Sequence, residues 1–142
     1  MRVADVLRRK GSTVATVGPD ASVTELLGEL AAHNVGALPV VAGGKLIGIV
    51  SERDVVRRLH VGGAALLQAK VSDIMITEVT TCSPGDDVGD LAAVMTSRRF
   101  RHLPVVVDGT LTGIVSIGDL VKARIDLLES ERAQLQNYIA GS

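Results

Sequence analysis

Apolar residues recur every three to four positions in several stretches of this chain, which is the spacing of an amphipathic helix. Residues 3–10 form the first such stretch, with Val3, Val6 and Leu7 on one face. A second begins at Ser22, which is followed three residues later by Glu25, the arrangement of a helix capping box. Its apolar positions are Val23, Leu26, Leu27, Leu30 and Ala31, and the helix is expected to end near Asn34 or Gly36.

Short runs of β-branched and other apolar residues predict the strands between these helices. Residues 14–17 form one run, and residues 37–41 and 46–50 form two more. The last two runs are separated by a turn containing Gly43 and Gly44, which predicts a β-hairpin. A helix is expected from about Ser51, so the order is strand, helix, strand, strand, helix.

The hairpin and the start of the helix after it occur twice in the chain. A shift of 65 positions aligns residues 38–59 with residues 103–124 without a gap, and 12 of these 22 positions are identical. The preceding elements also return, as a strand over residues 79–82 and a helix over residues 88–98. The duplication predicts an α+β fold in which two β-α-β-β-α repeats are related by a pseudo-two-fold.

The repeats divide the chain into residues 1–66 and 67–125, followed by a helical extension over residues 126–142, and we expect them to form one compact module. Each repeat begins with a short segment, its lead-in, and the second lead-in, residues 71–75, resembles the first, residues 3–7. The first copy has three additional residues between its lead-in and its strand. The link over residues 60–68 is short and apolar, which favours direct packing of the two repeats.

Composition and charge narrow the classes of function. With 142 residues and a net charge of −1, the chain can bury a core and has no field that would attract nucleic acid. It contains no Trp, one Tyr and one Phe, so it cannot build an aromatic platform for stacked bases. No signal peptide and no membrane-length apolar run occur, and the one cysteine fits a reducing compartment. We therefore expect a cytoplasmic protein without a membrane or nucleic-acid partner.

Each copy ends its hairpin with a Ser-x-x-Asp sequence that opens a helix. These residues are Ser51 and Asp54 in the first copy and Ser116 and Asp119 in the second. A helix N-terminus offers unpaired N–H groups and a positive dipole end, which suits a phosphate. The alternative interpretation is that the serine and aspartate only cap their helix and stabilise it by about 1 kcal/mol. One residue pair can serve both roles.

The duplicated pattern of Leu-Pro-Val-Val, hairpin and Leu-x-Gly-Ile-Val-Ser-x-x-Asp resembles a tandem pair of cystathionine-β-synthase (CBS) domains. The resemblance covers residues 1–125, and each copy also has a Thr-x-x-Pro sequence at its first strand. It implies two three-stranded sheets that meet about a pseudo-two-fold and enclose two clefts. It further implies an adenine-containing ligand, such as AMP, ADP, ATP or S-adenosylmethionine, with no required cofactor and no attached catalytic domain.

The resemblance assigns roles to particular residues. Asp54 and Asp119 would bind ribose hydroxyls, while Ser51 and Ser116 would contact phosphate. Backbone near Thr16, Ala37, Thr81 and His102 would recognise adenine, and aliphatic residues beside these points would line the slot. The complete set of expected ligand-binding residues is Thr16, Val17, Ala37, Val50, Ser51, Arg53, Asp54, Thr81, Cys82, Arg101, His102, Val115, Ser116 and Asp119. For Cys82, the alternative is a small buried residue in a strand.

The two predicted clefts differ in their positive charges. The second copy has Arg98, Arg99, Arg101 and His102 before its hairpin, and the first copy has Arg53 after its own. By resemblance, a basic pair before the second hairpin would contact phosphate. Arg53 would bring positive charge from the first copy, since arginine suits phosphate oxygens. The alternative for Arg98 and Arg99 is the solvated end of a helix. The divergence predicts two sites of one type with different affinities.

Apolar residues continue along the last segment in a heptad-like seam. The seam consists of Val121, Ile125, Leu128, Leu135 and Ile139, with Arg132 at one of its positions. Such a seam needs a partner surface, and we expect either the same helix or the body of a second chain, giving a homodimer in both cases. The alternative is that the seam packs on its own chain.

Three classes of function are compatible with the sequence. The leading hypothesis is a regulatory module that senses an adenosyl ligand and transmits a conformational change to an unidentified protein target. The alternatives are a structural dimerisation scaffold with empty clefts and an unrecognised enzyme. The sequence has no nucleophile elbow, no phosphate-binding loop and no metal-ligand spacing, so we expect neither catalysis nor a metal.

Overall fold

The computed structural model describes residues 1–11 and 13–141 and contains two β-hairpins among helices. The α-helices are α1 (Val3–Lys10), α2 (Val23–His33), α3 (Glu52–Gly62), α4 (Val71–Ile74), α5 (Val88–Arg98) and α6 (Ile117–Ala140). The strands are β1 (Ala37–Ala42), β2 (Lys45–Ser51), β3 (His102–Val107) and β4 (Thr110–Ser116). Among the described residues, no helix is both long and apolar enough to cross a membrane.

Local signals at the ends of α2 and α5 confirm the predicted helices. The Ser22 hydroxyl accepts a hydrogen bond from the Glu25 N–H at 3.1 Å, which starts α2. Asp87 serves the same purpose for α5, because its carboxylate accepts the Asp90 N–H at 3.0 Å. Both helices end at a residue in the left-handed conformation, Asn34 with φ 52° and Arg99 with φ 60°.

The two predicted hairpins are present and have the same register. In the first, Leu38 lies opposite Val50, and the turn places Gly43 and Gly44 at positive φ. In the second, Asp108 and Gly109 occupy these turn positions, also with positive φ. A positive φ at both turn residues matches the twist of the strands, so the turn sequence selects the hairpin.

The predicted strand before α2, residues 14–17, is wrong in extent because only Val17 pairs with β1. The Val17 N–H donates to the Pro39 carbonyl at 3.1 Å, and its own carbonyl accepts the Val41 N–H at 3.0 Å. Extending the ladder two residues upstream would require an N–H from Pro39, and extending it downstream would require one from Pro19. Proline has no N–H, so pairing stops on both sides.

The strand predicted over residues 79–82 is shortened for the same reason. Only Cys82 forms a bridge, to Val105. Pro84 and Pro104 are the equivalents of Pro19 and Pro39, and they stop the pairing in the same way. The predicted link over residues 60–68 also differs from expectation. It is helical, because α3 continues to Gly62 and a 3₁₀ helix follows over Gly63–Gln68.

The lead-in helices α1 and α4 are exchanged between the repeats. Val3 and Val6 of α1 lie in the core of the second repeat, together with Leu103 and Met95. In α4, the residues Val71 and Ile74 are buried in the core of the first repeat. The packed units therefore do not coincide with the contiguous ranges 1–66 and 67–125, since each takes its lead-in from the other's sequence.

Each exchanged lead-in lies against a glycine in the middle of a hairpin strand. A Cβ at Gly48 would be 2.8 Å from the Met75 sulfur and 3.0 Å from the Ile76 carbonyl oxygen. A Cβ at Gly113, the equivalent position, would be 2.8 Å from a terminal carbon of Leu7. The glycines thus allow the lead-in of one repeat to approach the sheet of the other.

The last helix, α6, is a single element of 24 residues. It starts at the end of β4, buries Leu120 and Ala123 in the core of the second repeat and runs on to Ala140. The segment 126–142 expected as a separate extension is therefore, as far as residue 140, the continuation of the repeat's own helix. The equivalent helix of the first repeat, α3, has 11 residues.

Substituting Gly48 tests the exchanged packing. We expect Gly48→Ala to lower the free energy of unfolding by about 1–3 kcal/mol, because the new methyl group meets the fixed backbone at Ile76. Gly113→Ala should lower the free energy of unfolding by a smaller amount, since the Leu7 side chain can move away from the new methyl group. Gly28→Ala is the control: its methyl group meets no atom within 4 Å, and alanine in α2 should raise stability by about 0.5–1 kcal/mol. Urea unfolding measures all three, and equal effects at Gly48 and Gly28 would contradict the packing.

Candidate functional site

The open end of each hairpin brings together the residues expected at the clefts. Ala37, the first residue of β1, lies opposite Ser51, the last residue of β2. His102 lies opposite Ser116 in the same way. The following helix is attached at this point by the Glu52 N–H, which donates to the Gly36 carbonyl at 2.9 Å. The expected adenine-reading and phosphate-binding positions are therefore neighbours across one strand pair in each repeat.

Both Ser-x-x-Asp sequences form a capping box. The Ser51 N–H donates to Asp54 Oδ2 at 2.9 Å, and the Asp54 N–H donates to the Ser51 hydroxyl at 3.3 Å. Ser116 and Asp119 repeat these bonds at 2.9 and 3.0 Å. All the hydrogen bonds that Asp54 and Asp119 accept within the described residues go to Oδ2. Oδ1 of each carboxylate therefore accepts no hydrogen bond from the described residues while the cap is intact.

Several expected slot residues direct their side chains into the cores. Val50 and Val115 have no exposed surface, and Val17 and Cys82 are buried beside them. These four side chains therefore do not line a slot, and the N–H and carbonyl groups of Val17 and Cys82 pair with the neighbouring hairpins. The alternating strand geometry instead places the half-buried Ile49 and Ile114 on the opposite face. Thr16 and Thr81 are exposed next to the bridges of the two repeats.

The expected arginines lie at the surface. Arg53 is exposed in the first turn of α3, and Arg101 is exposed just before β3, where its carbonyl accepts the Ile117 N–H at 2.9 Å. Arg98 and Arg99 form the exposed end of α5. Within the part of the chain that the structure describes, these four side chains form no ion pair within 4.0 Å.

Lys10 contacts the candidate site at Asp119 but is not among the residues expected from the sequence. It ends α1, and its ammonium lies 2.6 Å from Asp119 Oδ2 and 2.9 Å from the Ile114 carbonyl oxygen. Both side chains are partly buried, with 37% of Lys10 and 26% of Asp119 exposed. The contact spans 109 residues of sequence. The three additional residues of the first lead-in were the only signal in the sequence that could have pointed to it.

Lys10 changes the electrostatics of the second cleft. Burial acts to raise the pKa of Asp119, but the hydrogen bonds from Lys10 and the Ser116 N–H outweigh it and lower this pKa below 3.8. The pKa of His102 is also lowered, chiefly by burial and further by the positive charges of Lys10 and Arg101. The negative charges of Asp119 and Glu52 act to raise this pKa but do not outweigh the lowering. Glu52 belongs to the first repeat, so charges from both repeats act on the pKa of His102.

A cleft of about 290 Å³ opens beside this pair, between α1 and α6. Its lining includes the cations Arg9, Lys10 and Lys122 and the carboxylates Asp119 and Asp126. Arg9 lies 3.6 Å from Asp126, whereas Lys122 has no ion pair within 4.0 Å among the described residues. The cleft therefore carries one cation that is not matched by a carboxylate. No group of three metal-ligating side chains occurs in residues 1–11 and 13–141.

Known proteins are similar to this chain in both sequence and fold. The family model of the CBS domain matches residues 3–61 and 71–126. The mitochondrial CBS domain-containing protein CBSX3 of Arabidopsis thaliana is 36% identical over 98% of this chain and 72% of its own length. The crystal structure of a CBS-domain protein from Agrobacterium tumefaciens is 47% identical with a TM-score of 0.84, covering 87% of this chain and 99% of that one.

Two further solved structures contain ligands. CBSX2 in complex with AMP is 28% identical with a TM-score of 0.74, covering 89% of this chain and 97% of its own. The CBS domain pair of protein MJ0100, in complex with 5′-methylthioadenosine and S-adenosyl-L-methionine, is 25% identical with a TM-score of 0.73, covering 87% and 94% of the two chains. The ligands in both structures contain adenosine.

Replacing Lys10 should raise the pKa of Asp119. In the wild type this pKa lies below 3.8, so the carboxylate's contribution to stability is present above about pH 4 and is lost as the pH falls through the lowered pKa. Lys10→Met removes the ammonium and moves the loss to higher pH. A carboxyl-carbon NMR titration measures the shift, with Asp5 as the internal control because its pKa is lowered by the Arg2 N–H. An unchanged Asp119 titration would show that the ion pair does not form.

Proposed function

Because the chain belongs to the CBS domain family, we propose that it is a regulatory module that binds an adenosyl ligand in the clefts at Asp54 and Asp119. The ligand is AMP, ADP, ATP or S-adenosylmethionine, and no cofactor is required. Binding changes the conformation of the module, which passes the change to a protein target. A ligand shifts such an equilibrium only by its difference in affinity for the two conformations.

The geometry of the two aspartates carries this proposal. In each capping box the helix cap uses Oδ2, and the other carboxylate oxygen accepts no hydrogen bond within the described residues. A ribose hydroxyl can therefore donate to Oδ1 without unfolding the helix start. The helix N-termini of α3 and α6 lie at the same points and favour an anionic group.

The ligands of the similar structures support the adenosyl class. CBSX2 is in complex with AMP, and the MJ0100 domain pair is in complex with S-adenosyl-L-methionine and 5′-methylthioadenosine. An aliphatic slot suits adenine in this chain as well, since Ile49 and Ile114 are half-buried beside the capping boxes. The cytoplasmic location expected from the sequence stays a prediction, because the relative CBSX3 is mitochondrial.

We propose a sensor and not an enzyme, and the chemistry of Cys82 supports this choice. Burial, together with the charge of Asp86, raises the pKa of its thiol to about 11. The thiol is therefore protonated at neutral pH and is a poor nucleophile. Its side chain is also buried in the core of the second repeat.

The module is further proposed to form a homodimer through the seam on α6. Val121, Ile125 and Leu128 are each 49% exposed, so the seam does not pack on its own chain there. Val56 of α3, which aligns with Val121 by the internal repeat, is 65% exposed. Equivalent apolar positions on two helices suit a symmetric contact with a second copy, because such a contact buries the same residues on both chains.

Ligand titration tests the sensor proposal. We expect AMP, ADP, ATP or S-adenosylmethionine to release heat on binding, and Asp54→Ala or Asp119→Ala to weaken binding about tenfold or more by removing a charged acceptor. Asp73→Ala is the matched control, because Asp73 forms the same capping box with Lys70 at the start of α4 and lies at neither cleft.

The outcomes separate the alternatives. Absence of binding by every ligand would leave the structural scaffold as the function. Unaltered affinity in both cleft variants, or an equal loss in Asp73→Ala, would overturn the assigned sites. Conversion of a bound ligand over time would indicate an enzyme.

A charge placed in the seam tests the dimer. We expect Leu128→Glu to convert the dimer to a monomer in sedimentation velocity, because a buried carboxylate without a partner opposes association. Glu129→Gln, one residue along on α6 and exposed, should leave the dimer intact. A wild-type monomer at all protein concentrations would contradict the interface.

A further inference from the structure

We propose that Lys10 makes the cleft at Asp119 select adenosine ligands that carry a phosphate over those that do not, whereas the cleft at Asp54 lacks this selection. The proposal rests on the function proposed above and names the ligand class of one of its two sites. It follows from the position of Lys10, from the charges beside it and from the difference between the two copies.

The position of Lys10 leaves it available to a ligand. Its ammonium donates to Asp119 Oδ2 at 2.6 Å and to the Ile114 carbonyl at 2.9 Å. An ammonium has three donors, so one N–H remains, and 37% of the side chain is exposed. Because Lys10 bonds to Oδ2, it does not compete with a ribose hydroxyl for Oδ1 of the same carboxylate.

The position of Lys10 results from the difference between the two lead-ins. In the first repeat, the Ile49 carbonyl accepts the backbone N–H of Ile76 at 2.9 Å, directly after the short helix α4. In the second repeat, α1 continues to Lys10, and the equivalent carbonyl of Ile114 accepts the Lys10 ammonium instead. The longer lead-in thus replaces a neutral backbone contact with a cation.

The charge of Lys10 matters because a ribose-binding carboxylate repels a phosphate on the same ligand. At Asp119 the ammonium offsets this negative charge at close range, and Lys122 adds an unmatched positive charge in the adjoining cleft between α1 and α6. Asp54 has no lysine or arginine within 4.0 Å in the described residues. Besides the Ser51 N–H, Oδ2 of Asp54 accepts a hydrogen bond only from the neutral Ser51 hydroxyl, at 2.9 Å, among the described residues.

Two probes that differ in charge measure this selection: AMP and uncharged 5′-methylthioadenosine. The full chain with Asp54→Ala isolates the Asp119 cleft for calorimetric titration. In this background we expect Lys10→Met to weaken AMP binding about tenfold, as the loss of one close charge interaction, and to change 5′-methylthioadenosine binding less than twofold. Lys10→Arg should retain most of the preference for AMP, since it keeps the charge.

The matched control is Lys70→Met, which removes a lysine paired with Asp20 at 3.5 Å outside the clefts and should change neither affinity. An Asp119→Ala background isolates the other cleft, where Lys10→Met should leave the affinity ratio of the two probes unchanged.

Three results would overturn the inference. An equal loss for both probes in Lys10→Met would show that Lys10 only supports the fold. Unchanged or tighter AMP binding would show that it does not attract phosphate. Failure of the wild type to bind any of AMP, ADP, ATP, S-adenosylmethionine and 5′-methylthioadenosine would refute the proposed function itself. Binding with the same ratio of AMP to 5′-methylthioadenosine affinity in the wild type and in Lys10→Met would refute only the role of Lys10.

Discussion

The close approach of each lead-in to the opposite hairpin is the contact on which the rest of the fold depends. Gly48 and Gly113 have no side chain, so Met75 and Leu7 can lie directly on the strands. This contact joins the two repeats through their cores, because each core needs a lead-in from the other repeat's sequence. It also brings the end of α1 to Asp119, so the charge at the second cleft is a consequence of the packing.

The sequence predicted features that short-range chemistry determines. Each of these features depends on no more than four consecutive residues, and the structure contains all of them. They are the capping serine of α2, the glycine turn at Gly43 and the two Ser-x-x-Asp boxes. The short first strands were missed because one of the two limiting prolines, Pro39, lies on the partner strand: Pro39 and Pro19 together remove the N–H groups that a longer ladder needs.

Features that depend on distant pairing could not be predicted. The lead-ins resemble each other, so nothing in them states which of two similar cores each one enters. The contact between Lys10 and Asp119 depends on which core α1 enters and on the residue at which α1 ends. The orientation of the slot residues was equally undetermined, because Ile49 and Val50 are both apolar and either could face the core. Burial in the structure assigns that role to Val50.

The continuous helix α6 joins two regions that the repeat pattern treats as separate. Its N-cap is Ser116, and its 24 residues correspond to a rod of about 36 Å. A tilt of about 5° at the capping box would therefore move the far end by about 3 Å, which is a large fraction of one helical turn. A small adjustment around Asp119 is thus mechanically amplified at the C-terminal end of the seam. The shorter α3 gives the Asp54 side less than half of this lever arm.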